Sequence, residues 1–333
     1  MQTASEDSQA SAIRVRGRWQ PYLEKRRIGR RDLFLMEEIG GPFRQRYRAF
    51  DPRSGPEGDF FLVQRLLHGP WLDQRLRVLR RLKHDHFPRL WEWQHHRDGI
   101  DVVLSWIDGI SLNAYFENIR EQRRPAVDPS QAIRLIHGLA NGVVYLHRQS
   151  QIVHGDIQPA NVIITSHPSR LVLIDFGSAW TTQTAMFRGE GDGHHRAYAA
   201  PELQQGATPV GFHADQFAVT VLLFELLTGV LPYEGLGGRA GRDEHADATH
   251  DGLKLPSQVN GDLRRLPRSL RDGLDQLCRT GLSLNPGLRY QSHSEWLDAL
   301  FAVMAQFRLG PELSPTVKWL SRVVEWFAKT KSP

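Results

Sequence analysis

At 333 residues the chain is long enough for one large core or for two lobes. Its 40% apolar and 24% charged content excludes a mostly disordered chain. A formal charge of +5, with Arg far outnumbering Lys, gives no argument for nucleic acid as a partner.

The start, "MQTASEDSQA", is polar and acidic where a secretion signal would be basic and then apolar. The lone cysteine, Cys278, has no internal disulfide partner, so a reducing, cytoplasmic compartment is expected. A polar tail and a basic segment occupy residues 1–30. Three runs with strand character follow, "DLFLMEEIG", "RQRYRAFD" and "DFFLVQRLL", separated by Gly and Pro. Next, "WLDQRLRVLRRLKH" sets Leu72, Leu76, Leu79 and Leu82 at helical spacing, and "RLWEWQHH" and "IDVVLSWI" read as two strands around an "RDG" turn. The prediction is therefore five strands around one helix over 31–107, then a mainly helical lobe over 108–301.

In that second part "SQAIRLIHGLANGVVYLHRQ" is helical, and "NVIIT" and "RLVLIDFG" form a hairpin. The apolar run from Phe217 to Leu231 carries Glu225 and is too short to span a bilayer, so it is expected as a buried central helix. Gly-rich residues 235–252 read as a mobile loop. A C-terminal extension, 302–333, includes a helix starting at Ser314 and Pro315. It is expected to pack on the helical lobe, the alternative being a partner-binding or membrane-surface helix rimmed by Lys318, Arg322, Lys329 and Lys331. The His pairs at 95–96 and 194–195 lack a third ligand at metal spacing and read as surface residues.

Chemistry concentrates in "IVHGDIQPANVII" and the hairpin after it. A lone loop Asp or Asn is ordinarily a turn former. Here, however, Asn161 and Asp175 sit at the two outer ends of one predicted hairpin, where their oxygens can meet around a hard cation such as Mg²⁺. Asp156 would stand beside that ion as a free carboxylate able to accept a proton.

In these residues the sequence resembles the protein kinase family, from about Asp32 to Phe301. "HGDIQPAN" is similar to the family's catalytic loop, "DFG" to its metal-binding turn and "AAPE" (199–202) to the end of its activation segment. The resemblance implies an α+β, bilobal protein-kinase-like fold: a small antiparallel-sheet lobe with one helix, and a larger helical lobe. It implies Asp156 as the residue orienting the acceptor hydroxyl, and Asn161 and Asp175 as ligands of Mg²⁺ over the phosphates of ATP. ATP would lie under Ile39, Gly40 and Gly41, against Gln64, with the hinge at Leu104, Ser105 and Trp106. Asp215 is similar to the family's helix-capping aspartate, and Arg289 to the arginine that pairs with the "APE" glutamate, here Glu202. Aminoglycoside kinases also write the loop as "HGD", but they lack the "AAPE" segment and its arginine, which favours a protein acceptor.

The sequence departs from the family at six places. Gln64 aligns with the third-strand lysine, and no lysine occurs between Lys25 and Lys83. Arg75 falls where the helix glutamate is expected, and the phosphate-covering turn is one residue short with Arg44 at its third glycine. With-no-lysine kinases supply a cation from that same turn position, so Arg44, helped by Arg75, is a candidate substitute; the alternative is a solvated arginine. Gln158 replaces the catalytic-loop lysine, which predicts slow turnover. Gly155 replaces the arginine that reads an activation-loop phosphate, so phosphorylating Thr181, Thr182 or Thr184 is expected to leave the rate unchanged in a kinase assay. His195 stands where the family usually has a docking-loop threonine. Two functions follow: an atypical serine/threonine-type protein kinase using Mg²⁺ and ATP, or a pseudokinase acting as a nucleotide-binding or scaffolding module for a protein partner.

Overall fold

A computed structural model describes residues 11–40, 45–69, 72–176, 179–181, 196–204, 211–241 and 252–309. The small lobe opens with a hairpin of β1 (Ala12–Val15) and β2 (Arg18–Pro21). Strands β3 (Glu24–Ile28), β4 (Arg31–Glu38), β5 (Arg46–Asp51) and β6 (Asp59–Leu67) follow, then α1 (Leu72–Arg81), β7 (Leu90–His96) and β8 (Gly99–Ser105). They form an antiparallel sheet in the order β3-β4-β5-β6-β8-β7. The expected five strands are joined in this sheet by a sixth, β3, and three segments read from sequence as tail, Ala12–Val15, Arg18–Pro21 and Glu24–Ile28, are strands. Alternation in "EKRRI" is obscured by charge: only Ile28 is fully buried, against Leu33 and Leu35, while Lys25 and Arg27 face solvent.

Period-two alternation along β6 decides which side chains face the large lobe. Phe61 and Val63 pack outward with Ile28, Leu35, Ala49 and Val103, whereas Leu62, Gln64 and Leu66 face inward. Arg65 therefore points away from the inner face. Its Nε and Nη2 donate to both oxygens of the fully buried Asp101, at 2.6 and 2.8 Å, and this bond above all raises its already high pKa.

The large lobe contains β9 (Ile110–Ser111), α2 (Leu112–Arg120) and α3 (Pro129–Ser150), the last capped by Asp128, whose side chain accepts from Gln131 N at 2.9 Å. Next come β10 (Ile152–Val153), β11 (Val162–Ser166), β12 (Ser169–Leu173) and β13 (Trp180–Thr181). Helices α4 (Pro201–Gln204), α5 (Phe212–Thr228), α6 (Pro256–Val259), α7 (Arg268–Gly281) and α8 (His293–Leu309) complete it. α5 is buried from Ala214 to Leu227, as expected for the central helix. Among the described residues no helix is long and apolar enough to cross a membrane. α8 runs straight through position 302, and the helix expected from Ser314 lies outside the described residues.

The stretch read as a mobile loop begins differently. Gly237–Gly241 is a 3-10 turn with Gly237, Gly238 and Ala240 buried, and Gly238 N donates to Ala197 O at 2.8 Å. A Cβ on Gly237, whose φ is +57°, would lie 2.0 Å from that carbonyl. The glycines here permit close backbone approach. Residues 242–251 lie outside the described residues.

Candidate active site

β11 and β12 pair from Val162↔Leu173 to Ser166↔Ser169, so Asn161 and Asp175 emerge at the same end of the hairpin. Ile174 N donates to Asn161 O at 2.8 Å and ties those ends together. Asn161 Nδ2 donates to Asp156 Oδ2 at 2.8 Å and to Asp156 O at 3.0 Å, while Gln158 Nε2 donates to Asp156 Oδ1 at 2.8 Å. Asp156 is therefore held by two amides, where the sequence suggested a free carboxylate. Gln158, in the lysine's place, fixes that carboxylate. Asp175 has φ +63°, a left-handed conformation that a non-glycine residue keeps only where its surroundings over-determine it.

The loop carrying Asp156 hangs from α5. Asp215 Oδ2 accepts from His154 N and Oδ1 from Gly155 N, each at 2.8 Å, and His147 Nε2 lies 2.7 Å from Oδ2. The role inferred for Asp215 is thus corrected: it lies within the first turn of α5 and caps the catalytic loop, while the N-cap of α5 is Gly211. Burial alone would raise the Asp215 pKa, but the His147 hydrogen bond and charge and the Gly155 N–H together bring it below the ordinary value. His154 is driven toward its neutral form by complete burial. Its ring meets Phe176 edge-on at 5.1 Å, and Phe176 meets Phe87 at 5.6 Å, so loop, hairpin end and small lobe share one aromatic contact chain.

Between the lobes lies a cleft of about 160 Å³. Leu62, Leu66, Leu79 and Leu104 wall it from the small lobe, Ile163 and Ile174 from the hairpin, and Ile39, Ser105, Trp106 and Ile107 along its edge. Of the residues read from sequence as cofactor-binding, Ile39, Gln64, Leu104 and Trp106 line the cleft. Gly40 is exposed in the turn after β4, and Gly41 and Arg44 lie outside the described residues, as does the side chain of Arg75. Asp73 is the one acid of α1, and it is exposed in the first turn.

Sequence reasoning missed Arg46. Its Nη2 donates to Asp175 Oδ2 at 2.8 Å across the cleft, and it is the β-sheet partner of Gln64. Alternation along β5 was the available signal, because Tyr47 and Ala49 pack in the outer cluster and so turn Arg46 and Arg48 inward. Arg48 stacks on Phe60 and Trp106, 4.0 and 5.2 Å from their ring centroids. In the large lobe Arg289 clasps Glu202 as expected, with Nη1–Oε1 2.6 Å and Nη2–Oε2 2.9 Å.

Among the described residues no group of three or more His, Cys, Asp or Glu is placed to hold a metal. The donor set at the hairpin end is of another kind: one carboxylate, Asp175, and one amide, Asn161, whose nitrogen is committed to Asp156 and whose oxygen accepts no hydrogen bond among the described residues. Two hard oxygens with room for phosphate and water fit Mg²⁺.

The chain is 24% identical over 273 residues to the serine/threonine-protein kinase PknI of Mycobacterium tuberculosis, covering 81% of this chain and 39% of that protein. It is 26% identical over 245 residues to the carbon catabolite-derepressing protein kinase of Saccharomyces cerevisiae, covering 73% and 35%. It thus spans well under half the length of these relatives. The crystal structure of the M. tuberculosis PknI kinase domain superposes with a TM-score of 0.55 at 21% identity, over 81% of this chain and 96% of that one, which shows a shared fold. The protein kinase domain family matches residues 72–300, more than half of the sequence, and with the bilobal fold and the loop–hairpin geometry above it, the chain belongs to that family.

Proposed function

We propose that the chain is an atypical, slow phosphotransferase that moves the γ-phosphoryl group of ATP to a serine or threonine hydroxyl of a protein in a reducing, cytoplasmic setting. The observation that carries this reading is the clasp on Asp156: Gln158 and Asn161 each hold one carboxylate oxygen at 2.8 Å, which fixes a base beside the hairpin end. A carboxylate so held can orient an acceptor hydroxyl and take its proton, and positioning is most of what phosphoryl transfer asks of a protein. Asn161 and Asp175 would hold Mg²⁺, which when bound neutralises charge on the phosphates. The apolar walls of the cleft, Leu62, Leu104, Ile163 and Ile174 among them, suit a planar base. A protein acceptor is supported by the Glu202–Arg289 clasp, which fixes the end of the activation segment, and by the serine/threonine-protein kinase relatives.

A nucleotide-binding pseudokinase is the second reading, favoured by a specific observation: Gln64, a neutral side chain, faces the cleft where the family places a lysine. Incubation of the purified chain with γ-labelled ATP, Mg²⁺ and a mixed protein acceptor decides between the two. Transfer is expected, and Asp175→Asn, which removes the one anionic metal ligand, is expected to lower it by about 10²–10³-fold. Absence of transfer by the unaltered chain, while ATP still raises its Tm, would establish the binding module instead.

A further inference from the structure

We propose that Arg46 is the phosphate-gripping cation of this site, leaving Asp175 for the nucleotide's phosphates when a metal–nucleotide complex enters; this deepens, and rests on, the nucleotide-binding reading above. Among the described residues lining the cleft, Arg46 and Asp175 are the charged ones, and they neutralise each other. Arg46 stands directly across the ladder from Gln64, the position that lacks a cation. Its side chain is 17% exposed, and among the described residues its buried Nε has no hydrogen-bond partner, so the guanidinium holds donors beyond the one that Asp175 uses. A planar fork with unspent N–H groups matches phosphate oxygens.

Among the described residues, the other cations nearby are committed elsewhere. Arg65 is turned to the outer face and bound to Asp101, and Arg48 is stacked between Phe60 and Trp106. Charge balance then supplies the exchange. A divalent cation taking Asp175 meets a guanidinium already 2.8 Å from Oδ2, and two cations on one carboxylate repel in a partly buried site. The phosphates resolve the conflict, since they bring the anionic oxygens that Arg46 gives up at Asp175. No bond is made or broken in this step; one ion pair replaces another.

Titration of the full chain with adenosine, ADP·Mg²⁺ and ATP·Mg²⁺ tests the assignment, in the unaltered form and in Arg46→Gln and Arg46→Lys. Arg46→Gln is expected to weaken ADP and ATP by about tenfold or more while adenosine affinity stays within about twofold, because only the charged contact is lost. Arg46→Lys, a point charge without the fork, should retain part of the preference. Adenosine binding in the same sample reports that each variant is folded. Unchanged or tighter ATP binding by Arg46→Gln would overturn the assignment and mark the Arg46–Asp175 pair as a brake on metal binding. If the unaltered chain bound neither adenosine nor ATP, the nucleotide reading itself would fall, and the assignment with it.

Discussion

Replacing Asp215 with alanine is expected to cost about 3–6 kcal/mol of folding stability, readable as a lowered midpoint in urea denaturation. Three donors converge on this one carboxylate: His154 N, Gly155 N and the ring of His147. Asp215 is 1% exposed, so water cannot replace it. Each donor left unpaired in a dry interior costs about 1–3 kcal/mol. Asparagine, though nearly isosteric, should rescue little, because its NH₂ group would face donors where an acceptor is required. Activity should fall further than stability predicts, since the two backbone groups immediately precede Asp156 and the loop bends there through Gly155 at φ +70°. The pH dependence has a definite sign. Asp215 is more acidic in the folded chain than an ordinary aspartate, so its stabilisation is complete above the unfolded value of about 3.9 and is lost as pH falls through the lower folded value. The gap in stability between the unaltered chain and Asp215→Asn should be full at neutral pH and narrow below about pH 4.

Much of the site was legible because it is written locally. Asp156, Gln158 and Asn161 lie within six residues, and Asp175 is reached through one hairpin whose alternation the sequence displays, so their meeting needs no long-range contact. The Glu202–Arg289 clasp spans 87 positions and was legible only through resemblance to a family. Arg46 shows where this fails. Its partner is 129 residues away, and in an Arg-rich chain nothing in its neighbours' composition marks it; only the inward phase of β5 does. Attention to replaced glycines led instead to Arg44, two positions earlier on the same chain segment.

The remaining misreadings have a common physical source, which is that composition reports burial only on average. β3 reads as tail in the sequence because its outward residues are charged, yet one buried isoleucine and backbone pairing to β4 suffice for an edge strand. Gly237 and Gly238 read as flexibility in the sequence, yet they let the chain approach Ala197, just before the "AAPE" segment. Glycine is called for by mobile loops and by tight backbone contacts alike, and the contact is visible only once the partner is placed.

That same end of the activation segment supports the second large effect. Arg289→Ala is expected to destabilise the chain by about 3–5 kcal/mol in urea denaturation, because it removes one partner of a buried ion pair and strands the other. The Arg289 side chain is fully buried: its two Nη atoms bind both oxygens of Glu202, Nη1 also donates to His213 O at 2.9 Å, Nε donates to Ser283 O at 2.8 Å, and the guanidinium lies 4.8 Å from the Phe217 ring centroid. Four elements therefore meet on one planar group: α4, α5, the turn after α7 and the segment before α8. Lysine cannot reproduce a fork that binds in several directions at once, so Arg289→Lys should recover less than half of the loss. The double replacement Arg289→Met with Glu202→Gln should be less damaging than Arg289→Ala alone, since no charge is left buried without its partner. A double variant as unstable as the sum of its single changes would show that the two side chains do not act as a pair. A functional consequence separates packing from docking. If the clasp fixes the segment against which a protein acceptor lies, the folded fraction of Arg289→Lys should keep its nucleotide affinity while its apparent KM for protein acceptor rises, because the cleft shares no residue with the clasp.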